Sequence, residues 1–348
     1  MKWLAVFLTL VGLGLALGWP QFSQLAADSW RRHGTPRLQQ PEGWPRPVYD
    51  FSGNPLSRAG FELGRALFYE PKLSRDDSIA CANCHQQFVA FANAGHRLSH
   101  GVNNALGTRN APALFNLAWQ PSFMWDGGVH PLEVQPLGPI SNPVEMAETL
   151  AGVVRKLQDD PRYPPRFAAA FGSPRIDGQH VLLALTQFVG TLQSADSPYD
   201  RYLAGRVRFN AQEQRGLAVF RAQCVSCHRE PLFSDYSFRN NGLDAEPRDP
   251  GRAHITERAE DRGLFRVPSL RNIAVSGPYM HDGRFETLDA VLAHYAEGIV
   301  SSATLDPALR QGLKLDAADR AALRAFLDTL TDERFLHDPR FADPGEDS

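Results

Sequence analysis

The chain has no cysteine to spare: across 348 residues its four cysteines all fall within two copies of one pentapeptide, which leaves none for a disulfide scaffold once those copies have a role. It also lacks an excess of charge of either sign, with 36 Lys and Arg against 39 Asp and Glu and a formal net charge of −3. Nothing in that balance suggests nucleic-acid binding. Strand-like alternation is scarce. Helical periodicity is plain in segments such as Ala211 to Ala222 and Asp316 to Leu330. The marked apolar run is Trp3 to Trp19, seventeen residues without charge or proline.

That run reads as an export segment. It lies at the short limit for a spanning helix, which needs about 20 apolar residues, and no clear Ala-x-Ala cleavage site follows. Residues 1–27 are therefore expected to be a signal peptide cleaved after Ala27, or a retained N-terminal membrane anchor. Residues 28–55, rich in Pro, Arg and Gln, read as a spacer, and Asp244 to Arg262 as a solvated loop. The remainder faces an extracytoplasmic compartment and is long enough for two domains of about 100–200 residues each.

The pentapeptides are Cys81-Ala82-Asn83-Cys84-His85 and Cys224-Val225-Ser226-Cys227-His228. Cys-x-x-Cys-His is the attachment signature of c-type haem. Two thiols at i and i+3 on a helical turn can form thioethers with the two vinyl groups of one porphyrin, and the adjoining histidine then sits under the iron. A zinc reading falls short of ligands, because no other cysteine exists. Two covalent haems are expected, with His85 on the iron of haem 1 and His228 on the iron of haem 2.

After each motif one pattern returns in register. Pro112-Ala113-Leu114-Phe115-Asn116-Leu117-Ala118 matches Pro268-Ser269-Leu270-Arg271-Asn272-Ile273-Ala274, each followed by Asp-Gly at 126–127 and 282–283. Ala184 to Leu192 likewise matches Ala322 to Leu330. The expected fold is mainly α, with two cytochrome c-like helical domains at 56–200 and 201–348, each carrying one covalently bound haem. The halves differ at one informative place. Tyr295 lies seven residues after Leu288, and Pro139 seven after Leu132. A phenolate can coordinate iron and proline cannot, so an overlying position would close haem 2 and leave haem 1 open. On spacing alone, Tyr295 reads as a core aromatic on an apolar helix face.

Several ordered stretches resemble the bacterial di-haem cytochrome c peroxidase family, including its MauG branch, from about Pro55 to Asp332. They are Leu63-Gly64-Arg65-Ala66-Leu67-Phe68-Tyr69, Arg109-Asn110-Ala111-Pro112, Trp125-Asp126-Gly127, Val267 to Asn272, and Pro278-Tyr279-Met280-His281-Asp282-Gly283. The resemblance implies a peroxidatic haem 1 and an electron-transfer haem 2. It implies Tyr295 as distal ligand of haem 2, the position where ordinary peroxidases carry Met and MauG-like members Tyr, with Met280 as rival. Glu145 is implied as the acid-base group for peroxide cleavage, Gln135 as its neighbour, and Trp125 as the bridge between haems. Taken alone, Glu145 reads as a solvated carboxylate and Trp125 as core.

Asn110 with the carbonyls of Ser276 and Pro278 is implied to hold Ca²⁺, a cation that favours oxygen donors. The family's capping histidine would fall at Gly101, so His100 caps haem 1 only if the loop is one residue shorter. The leading expectation is a periplasmic peroxidase reducing hydrogen peroxide with electrons from a small cytochrome c or cupredoxin. The alternatives are a MauG-type oxidase that uses peroxide to oxidise residues of a partner protein, and a di-haem electron carrier without enzymatic activity. Ala222 stands where a methylamine dehydrogenase maturase carries a surface Trp, and a homodimer is left open. Cys81→Ala and Cys224→Ala should each remove one thioether, read as a shift of that haem's pyridine haemochrome band. Zinc in place of haem, after expression with a working attachment system, would overturn the assignment.

Overall fold

The computed structural model describes residues 37–345, so the export segment and residues 28–36 of the expected spacer lie outside the described residues. The described chain is mainly helical, and no described helix is long and apolar enough to cross a membrane. In the first half, α1 (Arg58–Phe68), α2 (Cys81–Cys84), α3 (Leu137–Ser141), α4 (Leu150–Asp159), α5 (Tyr163–Phe171) and α6 (Gly178–Val189) follow in order. The linking α7 (Pro198–Leu203) leads to α8 (Ala211–Gln223), α9 (Ala253–Thr256), α10 (Leu288–Ala293), α11 (Ala317–Asp328) and α12 (Glu333–Leu336). The only described strands are β1 (Phe238–Arg239) and β2 (Phe265–Arg266), paired antiparallel.

The long helices begin where side chains can cap them. Ser57, Asp177 and Asp316 accept the backbone N–H of Gly60, His180 and Asp319 at 2.9, 2.9 and 2.7 Å. Asn210 and Glu213 form a reciprocal capping box at the start of α8. Each cap satisfies an N–H that the helix itself cannot, which fixes the residue at which the helix starts.

Each half is organised around one tight helix crossing. A Cβ at Gly64 of α1 would lie 1.9 Å from Ala184 O of α6, and one at Gly216 of α8 would lie 2.0 Å from Ala322 O of α11. Ala184 and Ala322 are equivalents in the sequence repeat. Only glycine lets the two backbones approach that closely, and Phe188 and Phe326 pack beside the two contacts. Around the first crossing lies a core that includes Phe61, Phe68, Phe91, Leu185 and Phe188; around the second lies one with Phe220, Phe233, Leu292, Leu323 and Phe326.

Two terminal segments depart from the sequence reading. Residues 37–54, expected as spacer, are largely exposed but anchored at points: Trp44 is buried against Trp119 with ring centroids 5.0 Å apart, and Val48 and Tyr49 N–H both donate to Ala118 O. Trp44, Trp119 and Leu232 form a small third core joining this strap to both halves. Phe335, Leu336 and Phe341 follow the second half in sequence yet belong to the first core, where Tyr69 Oη donates to Phe341 O at 2.8 Å. The distribution of contacts, rather than chain order, assigns this tail.

Alanine at a helix interior normally stabilises by about 1 kcal/mol relative to glycine. At Gly64 or Gly216 the sign should reverse, with a loss of about 1–3 kcal/mol or more from overpacking. Denaturant unfolding of Gly216→Ala at or above the wild-type midpoint would contradict the crossing.

Candidate functional site

The first motif folds as a single helical turn. His85 N–H donates to Cys81 O at 3.0 Å, and Asn83 Oδ1 accepts Ala80 N–H at 2.7 Å, which holds the turn. Cys81, Cys84 and His85 border one cavity with His100, Gly101, Gln135, Pro139, Glu145 and Met146. His85 Nδ1 lies 2.8 Å from Phe91 O. A carbonyl can only accept, so Nδ1 carries the proton and Nε2 keeps its lone pair for a metal. Burial holds the His85 pKa down at about 4, so the ring is neutral at pH 7.

The second motif repeats the arrangement. His228 N–H donates to Cys224 O at 2.9 Å, and Nδ1 faces Phe233 O at 3.1 Å and Pro268 O at 3.2 Å. Pro268 matches Pro112 in the repeat, and the Pro112 carbonyl likewise faces His85. Burial pushes the thiols of Cys81 and Cys224 up to about 12, which disfavours the thiolates a zinc site needs. Paired neutral thiols beside a neutral, oriented imidazole, in an apolar cavity, fit a thioether-linked haem in both halves.

The cavities differ in what else borders them. Glu145 is partly buried, and burial raises its pKa while Asn142 Nδ2 donates to Oε1 at 2.7 Å. Gly101 packs on this segment so closely that a Cβ would lie 2.3 Å from Val144 O, and Val102 N–H donates to Glu145 O at 2.8 Å. His100 Nδ1 donates to Asn104 Oδ1 at 2.6 Å, with the His96 ring 5.1 Å away. Neither Asn142 nor Gly101 was a candidate from sequence. Asn142 acts within its own turn, three residues from Glu145, whereas the role of Gly101 depends on packing against the distant Val144–Glu145 segment.

Tyr295 borders the second cavity and sits in a π-helical turn, His294–Gly298, that continues α10. One extra residue in such a turn re-aims the side chains that follow it. Burial raises the Tyr295 pKa, opposed by Asn241 Nδ2, which lies 3.4 Å from the phenol oxygen. The same amide reaches Met280 Sδ at 3.2 Å. Met280 and its repeat equivalent Met124 share positive φ values of 76° and 66°. Met280 borders the haem 2 cavity, whereas Met124 Cε rests against Gly138. Asn241 had no signal in the sequence, since a lone Asn in a loop matches no motif.

Between the halves, Trp125 Nε1–H donates to Asn110 O at 2.8 Å, and Asn110 N–H donates to His281 O at 2.7 Å. Asn110, Ser276 and Pro278 all border the second cavity with Trp125. Asn110 Nδ2 donates to Arg97 O at 3.1 Å, so Oδ1 is the end of that amide suited to a cation. The stretch Asp244 to Arg262, expected as a solvated loop, braces this junction through its charged residues. Asp249 pairs with Arg109 at 2.6 Å, and Arg252 donates to Asp126 O and Gly127 O at 2.8 and 3.0 Å. Arg109 also pairs with Asp126 at 2.6 Å, tying the Trp125 segment to the loop.

The family model described as di-haem cytochrome c peroxidase matches residues 58–208. The chain is 38% identical over 309 residues to the methylamine utilization protein MauG of Methylorubrum extorquens, covering 85% of this chain and 84% of that protein. It is 34% identical over 261 residues to cytochrome c551 peroxidase of Pseudomonas aeruginosa, covering 71% of this chain and 75% of that one. A solved MauG-like protein associated with microbial copper homeostasis superposes with a TM-score of 0.82 at 35% identity, covering 88% of this chain and 99% of that structure. The chain belongs to the di-haem cytochrome c peroxidase and MauG family, and its two Cys-x-x-Cys-His motifs are the attachment points of two c-type haems.

Proposed function

We propose that the chain is an exported, periplasmic oxidase of the MauG type, with hydrogen peroxide as oxidant and side chains of a partner protein as the electron source. The observation that carries this reading is Tyr295, a phenol on the wall of the cavity that His228 also borders. An anionic oxygen donor stabilises oxidised over reduced iron more than a thioether does, which suits a centre that must itself be oxidised. Burial alone would keep the phenol protonated, so its ionisation requires a nearby positive charge, which ferric iron would supply. The Asn241 amide donates toward the same oxygen and favours the anion.

Two c-type haems, held by Cys81, Cys84 and His85 and by Cys224, Cys227 and His228, supply electron transfer and peroxide reduction when bound. Glu145 moves the proton that peroxide cleavage requires, taking it from one peroxide oxygen and returning it to the leaving one. Asn142 occupies Oε1, which leaves Oε2 as the oxygen that carries the proton. Gln135 borders the same cavity and supplies an amide to orient peroxide. Pro139 offers no side-chain donor there, so that side of the first cavity stays available to substrate. Trp125, its indole fixed on Asn110 O, bridges the two centres. Ca²⁺ held by Asn110 and the carbonyls of Ser276 and Pro278 would brace that bridge.

A peroxidase fed by a small cytochrome c or cupredoxin is the second reading. Two observations favour it: His100 borders the first cavity as a capping residue would, and Met280 Sδ lies 3.2 Å from the same amide as Tyr295. An electron carrier with both irons closed fits less well, because the first cavity carries Glu145, a proton-moving group that electron transfer alone does not need.

The EPR spectrum of the ferric protein separates these readings. The oxidase predicts one high-spin and one low-spin haem, and two low-spin haems would indicate a His100 cap. Tyr295→Phe should change the optical spectrum of haem 2 and leave small-ligand binding at haem 1 intact; an unchanged spectrum, or a sulfur-to-iron charge-transfer band in the wild type, would move the assignment to Met280.

Glu145→Gln should keep both haem spectra and slow the reaction with peroxide by about 10²-fold or more. Glu145 must be ionised to accept the proton, and burial raises its pKa. The wild-type rate should therefore fall with decreasing pH above the ordinary carboxylate range. Glu145→Gln should lose that limb, and a variant that keeps it would remove Glu145 from the mechanism.

A further inference from the structure

Three arginines border the haem 2 cavity: Arg239, Arg266 and Arg271. Two are neutralised by protein carboxylates. Arg239 pairs with Asp235 at 2.9 Å and Asp306 at 2.7 Å. Arg271 gives both Nη atoms to Asp200 at 2.8 Å and Nε to Pro231 O at 2.9 Å. Arg266 differs. It is 6% exposed, its Nε reaches only Met124 O at 3.3 Å, and its Nη atoms hydrogen-bond no described residue. The ionisable group felt most strongly there is the phenol of Tyr236, itself kept neutral by burial.

A buried guanidinium with four of its five donors unused is a large penalty unless an anion completes it. Gln120 adds a second observation. It is 8% exposed, borders the same cavity, and its carboxamide hydrogen-bonds no described residue. Two buried polar side chains thus turn unused donors toward one cavity, while the neighbouring arginines are already satisfied.

We propose that Arg266, assisted by Gln120, binds a propionate carboxylate of the haem attached at Cys224 and Cys227. This rests on the di-haem assignment and goes beyond it by naming the residues that receive the acidic edge of the cofactor. A haem carries two carboxylates on the edge away from its vinyl groups, so thioether attachment at the two cysteines delivers carboxylates covalently to the remainder of the cavity. A planar guanidinium matches a carboxylate with two parallel hydrogen bonds, which a lysine cannot do.

The placement has a consequence for the bridge between haems. Arg266 N–H donates to Trp125 O at 2.8 Å and Nε to Met124 O, so one residue grips the segment carrying Trp125 through both its main chain and its side chain. Arg266 is then a positioning residue that joins the acidic edge of haem 2 to the tryptophan.

The test uses the holoprotein and two readouts that do not depend on turnover. Resonance Raman spectroscopy of haem 2 reports the propionate-bending band, and spectroelectrochemistry reports the midpoint potential of each haem. Arg266→Gln should shift the band and lower the haem 2 potential, because removing a fixed cation favours the ferric state, with haem 1 unmoved. Arg266→Lys should keep most of the potential while still shifting the band, since the charge remains and the paired hydrogen bonds do not.

Retention of two covalent haems by pyridine haemochrome serves as the folding control. If Arg266→Gln does not accumulate with both haems, Arg266→Lys and Gln120→Leu carry the test, each expected to shift the band. Unchanged bands in these variants, or equal shifts at both haems, would overturn the proposal.

Discussion

One repeated hydrogen bond fixes the frame for both cavities: the imidazole of each Cys-x-x-Cys-His motif holds its Nδ1 proton on a main-chain carbonyl. In the first half the partner is Phe91 O at 2.8 Å, in the second Phe233 O at 3.1 Å. This bond sets the tautomer, leaves the Nε2 lone pair free for a metal, and holds the ring in place. It persists because the carbonyls belong to segments that cannot drift. Phe91 and Phe233 are fully buried, each in the core built around a glycine-mediated crossing. Loosening Gly64 against Ala184, or Gly216 against Ala322, would disturb the orientation of the histidine as well as the stability of the core.

What could be read from the sequence follows from how local the chemistry is. Covalent haem attachment needs two thiols and an imidazole within one helical turn, so Cys81 to His85 and Cys224 to His228 carry the cofactor assignment unaided. The paired helices are visible through apolar periodicity, and their internal repeat points to two related halves. Contacts between distant segments leave no such trace. The packing of Trp44 on Trp119, of Phe341 in the first core, and of Asp249 on Arg109 follows no period and no motif. Asn241 and Arg266 are the same kind of case, because their meaning lies in what they face. A loop rich in Asp, Arg, Pro and Gly looks solvated, since composition does not reveal that its charges have partners in the other half.

The two halves share a scaffold, so their difference in chemistry comes from a few local substitutions. After Leu132 the chain forms α3, with Pro139 on the wall and the Asn142–Glu145 turn behind it. After Leu288 it continues through α10 into the π-helical turn that carries Tyr295. One path brings a carboxylate, Glu145, to the wall of its cavity, and the other brings a phenol, Tyr295, to the wall of its own. The proposed division of labour between the two centres rests on these few positions.

Electrostatics support the same division. The first cavity has a single carboxylate, Glu145, pushed by burial toward its neutral form, and a group poised in this way can both take and give a proton. The second cavity is bordered by three arginines, of which only Arg239 and Arg271 are neutralised by protein carboxylates. A surplus cation raises the potential of a nearby haem, whereas a phenolate lowers it. If the propionate is taken up by Arg266, that cation is largely cancelled, and the axial ligand is left as the main determinant of the haem 2 potential. Under the proposed Tyr295 ligation, exchanging that phenol for a thioether would then raise the haem 2 potential.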